Sequence, residues 1–394
     1  MKKSILAAGL GAITLVAGVL ASTPADAASN GRHATRVCAA STQALTASCS
    51  AKVMVSDKTG AVPNATTPPG SALTPTQLRA AYGLTGNATS TVAIVDAYGY
   101  PNLERDLGVY RTQFGIPACT RANGCLRIID QNGGTNLPRF NTGWAGETAL
   151  DVDAVSAICP GCKIVVVQAK SASIPDLGTA AATAARQAGV VAISNSYGGG
   201  DLADSSYGSY YNHPGIAVTA STGDNGYQGG SFPASSAYVV AVGGTSLTMS
   251  GTSVVSETAW SGAGSGCSTV NAALAGAGAF GTGCAKRAIA DVSAAADPGK
   301  GGMAVYYPTS SRASTWAQVG GTSESSPIIA SVFALAGGVA AGVQANSVPY
   351  ANAGSLRDVT AGSNGSCPTT QWCNARTGWD GPTGLGVPNG TGAF

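Results

Sequence analysis

Val92-Ala93-Ile94-Val95-Asp96 is a run of four apolar residues closed by an acid. It shows no polar alternation, so a strand made from it has both faces buried. Four more runs of this kind follow, at 164–167, 190–193, 216–219 and 239–242. Between them lie stretches with helical spacing, such as the alanine-rich 174–187. Doubly buried strands alternating with helices predict an α/β fold: a doubly wound sheet of mostly parallel strands with helices on both faces. In such a fold, chemistry collects just past the C-terminal ends of the strands. Asp96 closes one run, and Ser221-Thr222-Gly223-Asp224-Asn225-Gly226 follows another.

Composition narrows the function. The 394 residues are 44% hydrophobic and 10% charged, with 21 basic against 19 acidic side chains. A net charge of +2 gives no clustered basic footprint, so nucleic acid is not expected as a partner. The apolar content excludes a disordered chain. The 55 glycines follow no G-x-y period, which excludes collagen and predicts many tight turns. Lys2 and Lys3, an apolar run over 5–20 and Ala25-Asp26-Ala27 read as an export signal spanning 1–27. The run is shorter than the ~20 residues a membrane span needs, so the expected product is secreted and free of the membrane; a monomer is expected.

Ten cysteines in an exported chain read as disulfides. They fall into neighbouring couples: Cys38/Cys49, Cys119/Cys125, Cys159/Cys162, Cys267/Cys284 and Cys367/Cys373. Residues 28–73, with a proline- and threonine-rich stretch at 61–70, read as a short pro-segment and linker. Order is expected from near Thr74, with a short helix over 78–82, and 74–394 as one domain. Gly276-x-Gly278-x-x-Gly281 matches a dinucleotide fingerprint in form only. It lies between two cysteines with no strand before it, and reads as a loop.

Only two histidines are present, His33 and His213. A Ser-His-Asp triad and a multi-histidine metal site therefore find little support. Other residues carry the chemistry. Gly320-Gly321-Thr322-Ser323-Glu324-Ser325-Ser326-Pro327 opens a helix that places Ser323 where backbone N–H groups point outward. A hydroxyl there is placed to attack a carbonyl while a nearby N–H stabilises the oxyanion. In Gly146-Glu147-Thr148-Ala149-Leu150-Asp151, the two acids are i and i+4 and share one helix face. Buried together, they would share a proton and raise a pKa. Asp224 lies in the plane of a site at a strand end. Asp358 and Asp380 sit in glycine-rich loops whose oxygens suit Ca²⁺.

Taken together, these features resemble the sedolisins, serine-carboxyl peptidases with a subtilisin-like fold. The resemblance runs from Thr74 to the C-terminus and is reinforced by Ser194-Asn195-Ser196-Tyr197-Gly198, Val242-Gly243-Gly244-Thr245 and Ser256-Glu257-Thr258-Ala259-Trp260. It implies Ser323 as nucleophile, Glu147 as general base, Asp151 as the acid bonded to it, and Asp224 as the oxyanion-hole acid. It also implies one structural Ca²⁺ held by Asp358 and Asp380 with the carbonyls of Val359, Arg376 and Gly378. Asp96 matches the first-strand aspartate of the subtilisin triad and is read as a supporting residue. Glu324 departs from the family pattern and is expected to perturb the site electrostatically. The segment ahead of the linker is far shorter than the family's prodomain. The expected function is a secreted endopeptidase acting on proteins or peptides at acidic pH. The alternative is a catalytically silent homologue that binds peptides or surfaces.

Overall fold

The computed structural model describes residues 31–394 and Met1; the rest of the export signal lies outside the described residues. Each doubly buried run becomes a strand of one sheet. In spatial order the strands are Ser253–Ala259, Val240–Ser250, Ala217–Ser221, Val190–Asn195, Thr91–Ala97, Lys163–Ala169 and Leu126–Asp130. Val292–Ala295 adds a further parallel strand beside Val240–Ser250. All neighbours are parallel except the hairpin of Val240–Ser250 with Ser253–Ala259. Thr91–Ala97 is central, with Val95 opposite both Val167 and Asn195. Every residue of that strand is buried, so both its faces are covered, as the absence of polar alternation predicts.

Two helices place the candidate residues. Thr142–Ile158 starts at Asn141, whose side chain accepts from the Trp144 N–H at 3.1 Å. It is buried on all sides from Trp144 to Ile158, wedged between the strands and a second helix. Acids on such a helix cannot reach water. The second helix, Thr322–Leu335, is buried from Thr322 to Ala334 and runs against the first. Gly321 caps it at φ 107°, a left-handed conformation that favours glycine.

The segment ahead of Thr74 differs from the expectation. Lys52–Ser56 pairs with Ser314–Gly320 inside a four-stranded antiparallel sheet that also holds Arg32–Arg36 and Met303–Pro308. The alternating apolar residues Val53 and Val55 are buried there, a short period-2 signal hidden among small residues. The proline-rich stretch also docks: the Ala65 carbonyl accepts from the Trp316 N–H at 3.2 Å. The first helix is Pro75–Ala81, slightly earlier than read, because Thr74 and Gln77 form a capping box. All five cysteine couples are closed as disulfides, and among the described residues no free cysteine remains.

Gly146 shows how tightly the buried helix is held. A Cβ there would lie 2.5–2.8 Å from ring atoms of Tyr307. Gly→Ala in an open helix interior gains up to ~1 kcal/mol, but overpacking costs about 1–3 kcal/mol. Gly146→Ala is therefore expected to lower the urea midpoint; an unchanged or raised midpoint would show that the Tyr307 ring yields freely.

Candidate active site

The sheet's strand ends and the two buried helices bring Ser323, Glu147, Asp151, Asp224 and Asp96 into one buried cleft. Ser323 stands in the first turn of its helix, and its Oγ donates to the Ser196 carbonyl at 3.1 Å. The hydroxyl also lies close enough to the Glu147 carboxylate to favour its ionised form, although Glu147 makes no hydrogen bond of ordinary geometry. Asp151, one turn further along, accepts from Ser196 Oγ at 2.8 Å. Ser196 thus touches both the nucleophile candidate and the acid pair. It follows directly on the strand Val190–Asn195.

The acids crowd one another. Burial pushes Glu147 well above the usual carboxylate range, and the Asp96 charge adds to it. Asp151 is raised by burial, then by Asp96 and Glu147. Asp96 is pushed up to about 7 by burial, with the Thr148 hydroxyl opposing. Three buried carboxyls this close cannot all be ionised, so protons are shared among them. Asp96 therefore belongs to the cluster itself, a closer role than the sequence indicated; its position at the strand end was the available signal.

Asp224 follows the strand Ala217–Ser221. Its Oδ1 accepts from the Thr322 N–H at 2.8 Å and from Thr322 Oγ1 at 3.0 Å. Its Oδ2 is buried without a partner. Burial pushes this carboxyl up to about 6, against the Thr322 bonds and the charges of Lys52 and Arg36. Below that pH, Oδ2 carries a proton it can donate. A cavity of about 300 Å³ lies beside it, lined by Gly198, Gly199, Thr222, Gly223 and Ser231.

Glu324 turns away from this cleft. Its buried carboxyl is raised by desolvation and by the Asp297 charge, with the nearby Met303 backbone opposing, and neither oxygen makes a hydrogen bond of ordinary geometry. Its charge is felt by Tyr82 and Tyr110, and it does not figure among the main influences on Glu147. The expected perturbation of the site is thus corrected: neighbouring residues on a helix point about 100° apart. His213 lies outside the cleft, bonded through Nε2 to the Tyr210 carbonyl at 2.9 Å.

The proposed metal residues also meet. Asp358 Oδ2 accepts from the Gly378 N–H at 2.8 Å, and Asp380 Oδ2 from the Arg376 N–H at 3.1 Å. Val359 and Asp380 are buried. Burial raises Asp380 to about 7, and the Asp358 charge adds to this. Two like charges around an all-oxygen loop fit a hard cation, which would supply the missing opposite charge. Among the described residues there is no group of three or more acid, histidine or cysteine side chains placed to hold a metal, so such a site depends on backbone carbonyls.

Comparison with known proteins follows this geometry. No family model matches the chain. It is 28% identical to kumamolisin from Bacillus sp. (strain MN-32) over 362 residues, 81% of this chain. The chain spans 62% of that relative's length. Its structure matches Pseudomonas sedolisin, a serine-carboxyl proteinase complexed with two molecules of pseudo-iodotyrostatin, at a TM-score of 0.67 and 24% identity, over 82% of this chain and 96% of that one. The chain has the sedolisin fold. Sphericase, at a TM-score of 0.50 and 16% identity over 79% of this chain and 96% of its own, extends the likeness to subtilisin-like folds. The family resemblance carried by the sequence motifs is borne out, and the α/β class with it.

The carboxyl cluster of this sedolisin-like chain makes its stability depend on pH in a definite sense. Asp224 and Asp96 have folded pKa values raised to about 6 and about 7, above their unfolded values near ~4. The folded state then binds more protons than the unfolded one, so stability is fully present below pH ~4 and falls as pH rises through 6 to 7. Ser323→Ala protein should thus be more stable at pH 5 than at pH 8, by on the order of 3 kcal/mol. Urea titrations at the two pH values check this; equal or reversed midpoints would contradict burial of the acids as the dominant cause.

Proposed function

We propose that this chain is a secreted serine-carboxyl endopeptidase that hydrolyses peptide bonds in protein or peptide substrates at acidic pH. The observation that carries the reading is Ser323, at a helix N-terminus, beside a buried Glu147/Asp151/Asp96 cluster and one residue from the N–H that holds Asp224. Ser323 Oγ attacks the substrate carbonyl and gives its proton to Glu147, the member of the cluster whose ionised form the serine hydroxyl favours, while Asp151 and Asp96 keep the protons that the cluster shares. The oxyanion is met by the Ser323 backbone N–H and by the protonated Oδ2 of Asp224. Glu147 then returns the proton to the leaving amine, and water hydrolyses the ester. The five disulfides fit an oxidising, extracellular setting. Among the described residues no helix is long and apolar enough to cross a membrane.

Digestion of an unfolded protein across about pH 3–8 tests the mechanism. Cleavage is expected to peak on the acid side and to decline as Asp224 ionises around pH 6. Ser323→Ala and Glu147→Ala should each lower kcat by on the order of 10⁴ or more, because nucleophile and base act together. Asp224→Ala should cost about 10²–10³, the usual loss for an oxyanion donor. Asp224→Asn keeps a donor at every pH, so its profile should extend further to the alkaline side than that of Asp224→Ala. Identical profiles for the two variants would remove Asp224 from the oxyanion role. A chain that folds yet digests nothing at any pH would instead be a silent, peptide-binding homologue.

We further propose that one Ca²⁺ binds at Asp358 and Asp380 with the carbonyls of Val359, Arg376 and Gly378, and stabilises the C-terminal loops. Ligand that binds only the folded state stabilises by about 2.7 kcal/mol at 100 times its Kd. A chelator should therefore lower Tm at neutral pH, and Asp358→Ala should abolish that response. A Tm that ignores both chelator and added calcium rules the site out.

A further inference from the structure

Ser323 carries a backbone carbonyl as well as a hydroxyl, and the sequence leaves that carbonyl short of a partner. In an α-helix the carbonyl of residue i accepts from the N–H of residue i+4. For Ser323 that residue is Pro327, inside the helix Thr322–Leu335, and proline has no N–H. Ser323 is fully buried, so its carbonyl must find a donor within the protein. The group that reaches it is Ser196 Oγ, at 3.3 Å. Ser196 therefore meets Ser323 twice. Its carbonyl accepts from Ser323 Oγ at 3.1 Å, and its hydroxyl faces the Ser323 carbonyl. The Ser196 carbonyl also accepts from the Ser50 N–H at 3.1 Å, so both its lone pairs are in use.

The Ser196 hydroxyl has a second acceptor. Asp151 Oδ1 lies 2.8 Å from the same Oγ. A serine hydroxyl has one hydrogen to donate and two lone pairs that accept. It cannot donate to the Asp151 carboxylate and the Ser323 carbonyl together. Both contacts are met only when Asp151 brings its own proton. Oδ1–H then donates to Ser196 Oγ, and Ser196 Oγ–H donates to the Ser323 carbonyl. Asp151 Oδ2 is buried without a partner, so a proton there would be stranded and Oδ1 is its place. Once Asp151 ionises, the hydroxyl turns to the charge, the stronger acceptor, and the Ser323 carbonyl loses its donor. The titratable groups that face Asp151 are Asp96, on the central strand, and Glu147, on its own helix. Both are acids and add to the cost of ionising it. Ser325 Oγ, in the same turn as Ser323, also faces two acceptors, the Ala294 and Ala295 carbonyls at 3.0 and 2.9 Å. Neither of those has a proton to offer. Ser196 differs because one of its acceptors titrates.

We propose that Ser196 is a positioning residue whose single hydroxyl hydrogen ties the protonation of Asp151 to the placing of Ser323. With Asp151 protonated, an unbroken chain of hydrogen bonds runs from the acid through Ser196 Oγ to the first turn of the nucleophile helix. Ser323 is then held at its hydroxyl and at its carbonyl. With Asp151 ionised, only the hydroxyl contact is left. The proposal rests on the peptidase reading above and deepens it: the proton that Asp151 keeps serves the nucleophile, as the proton on Asp224 serves the oxyanion.

Pro327→Ala tests this, because it gives residue 327 an N–H for the Ser323 carbonyl and alters neither Ser196 nor any acid. In the full-length protein, Asp151 is followed as the step in the protonated-carboxyl infrared band that Asp151→Asn removes. Pro327→Ala should lower the midpoint of that step by about one pH unit, since ionisation no longer strands the carbonyl. In a Ser196→Ala background the same substitution should leave the midpoint in place, because no hydroxyl is there to release. Digestion of an unfolded protein at about pH 4 is the second readout. Ser196→Ala should lower kcat about tenfold with KM little changed. Adding Pro327→Ala should recover most of that loss, because the carbonyl regains a donor. A midpoint that Pro327→Ala does not move, or moves equally without the Ser196 hydroxyl, overturns the proposal and leaves the peptidase reading standing. So does a kcat that Ser196→Ala leaves unchanged, or lowers beyond repair by Pro327→Ala. A folded wild-type chain that digests nothing at any pH overturns both.

Discussion

Everything in the cleft depends on carboxyl groups held away from water. Asp96, Glu147, Asp151 and Asp224 are buried, and for the first three burial is opposed mainly by hydroxyl groups rather than cations. Ionising such a group is costly unless it is paired, so the protons stay on and become usable near neutral pH. The helix Thr142–Ile158 makes this environment, because it is enclosed on every side. An exposed helix with the same i, i+4 acids would leave both ionised at ordinary values. The enclosure also explains the small residues around the helix, since Gly146 must pass the Tyr307 ring.

The two ends of the chain's chemistry are assembled by backbone. Ser196 lends its carbonyl to Ser323 and its hydroxyl to Asp151, while Thr322 offers its N–H and hydroxyl to Asp224. These groups follow strand ends or open a helix, where main-chain donors and acceptors have no partner within their own element. The same unpaired backbone accepts residues 45–50 as an added strand. One feature therefore orients the acids and recognises an extended chain.

The sheet was legible because its strands are continuous apolar runs, a signal that needs no knowledge of the partners. The helix carrying Glu147 and Asp151 was legible from i, i+4 spacing, but its enclosure was not, since burial of a helix depends on what surrounds it. Asp96 showed its place at a strand end and concealed its coupling to acids more than fifty residues away. The strand Lys52–Ser56 was missed because it has only two buried valines and lies beside a segment rich in proline and threonine. Glu324 is the converse case: it is next to Ser323 in sequence, yet its carboxyl is felt by Asp297 and Met303 rather than by the acid cluster.

The disulfides have a consequence for how open the chain is to peptide-cleaving enzymes. To lie as residues 45–50 do, a segment must run extended for about six residues, roughly 20 Å at ~3.3 Å each. Cys119–Cys125 and Cys367–Cys373 hold their Cα atoms 4.8 and 5.9 Å apart, and Cys159–Cys162 spans only three residues. No loop tied so short can straighten into a cleft of this shape. Such loops are otherwise the parts of a folded protein most open to nicking. The short staples add little through chain entropy, but they remove these loops from the set of segments that a protease needing an extended chain can cut.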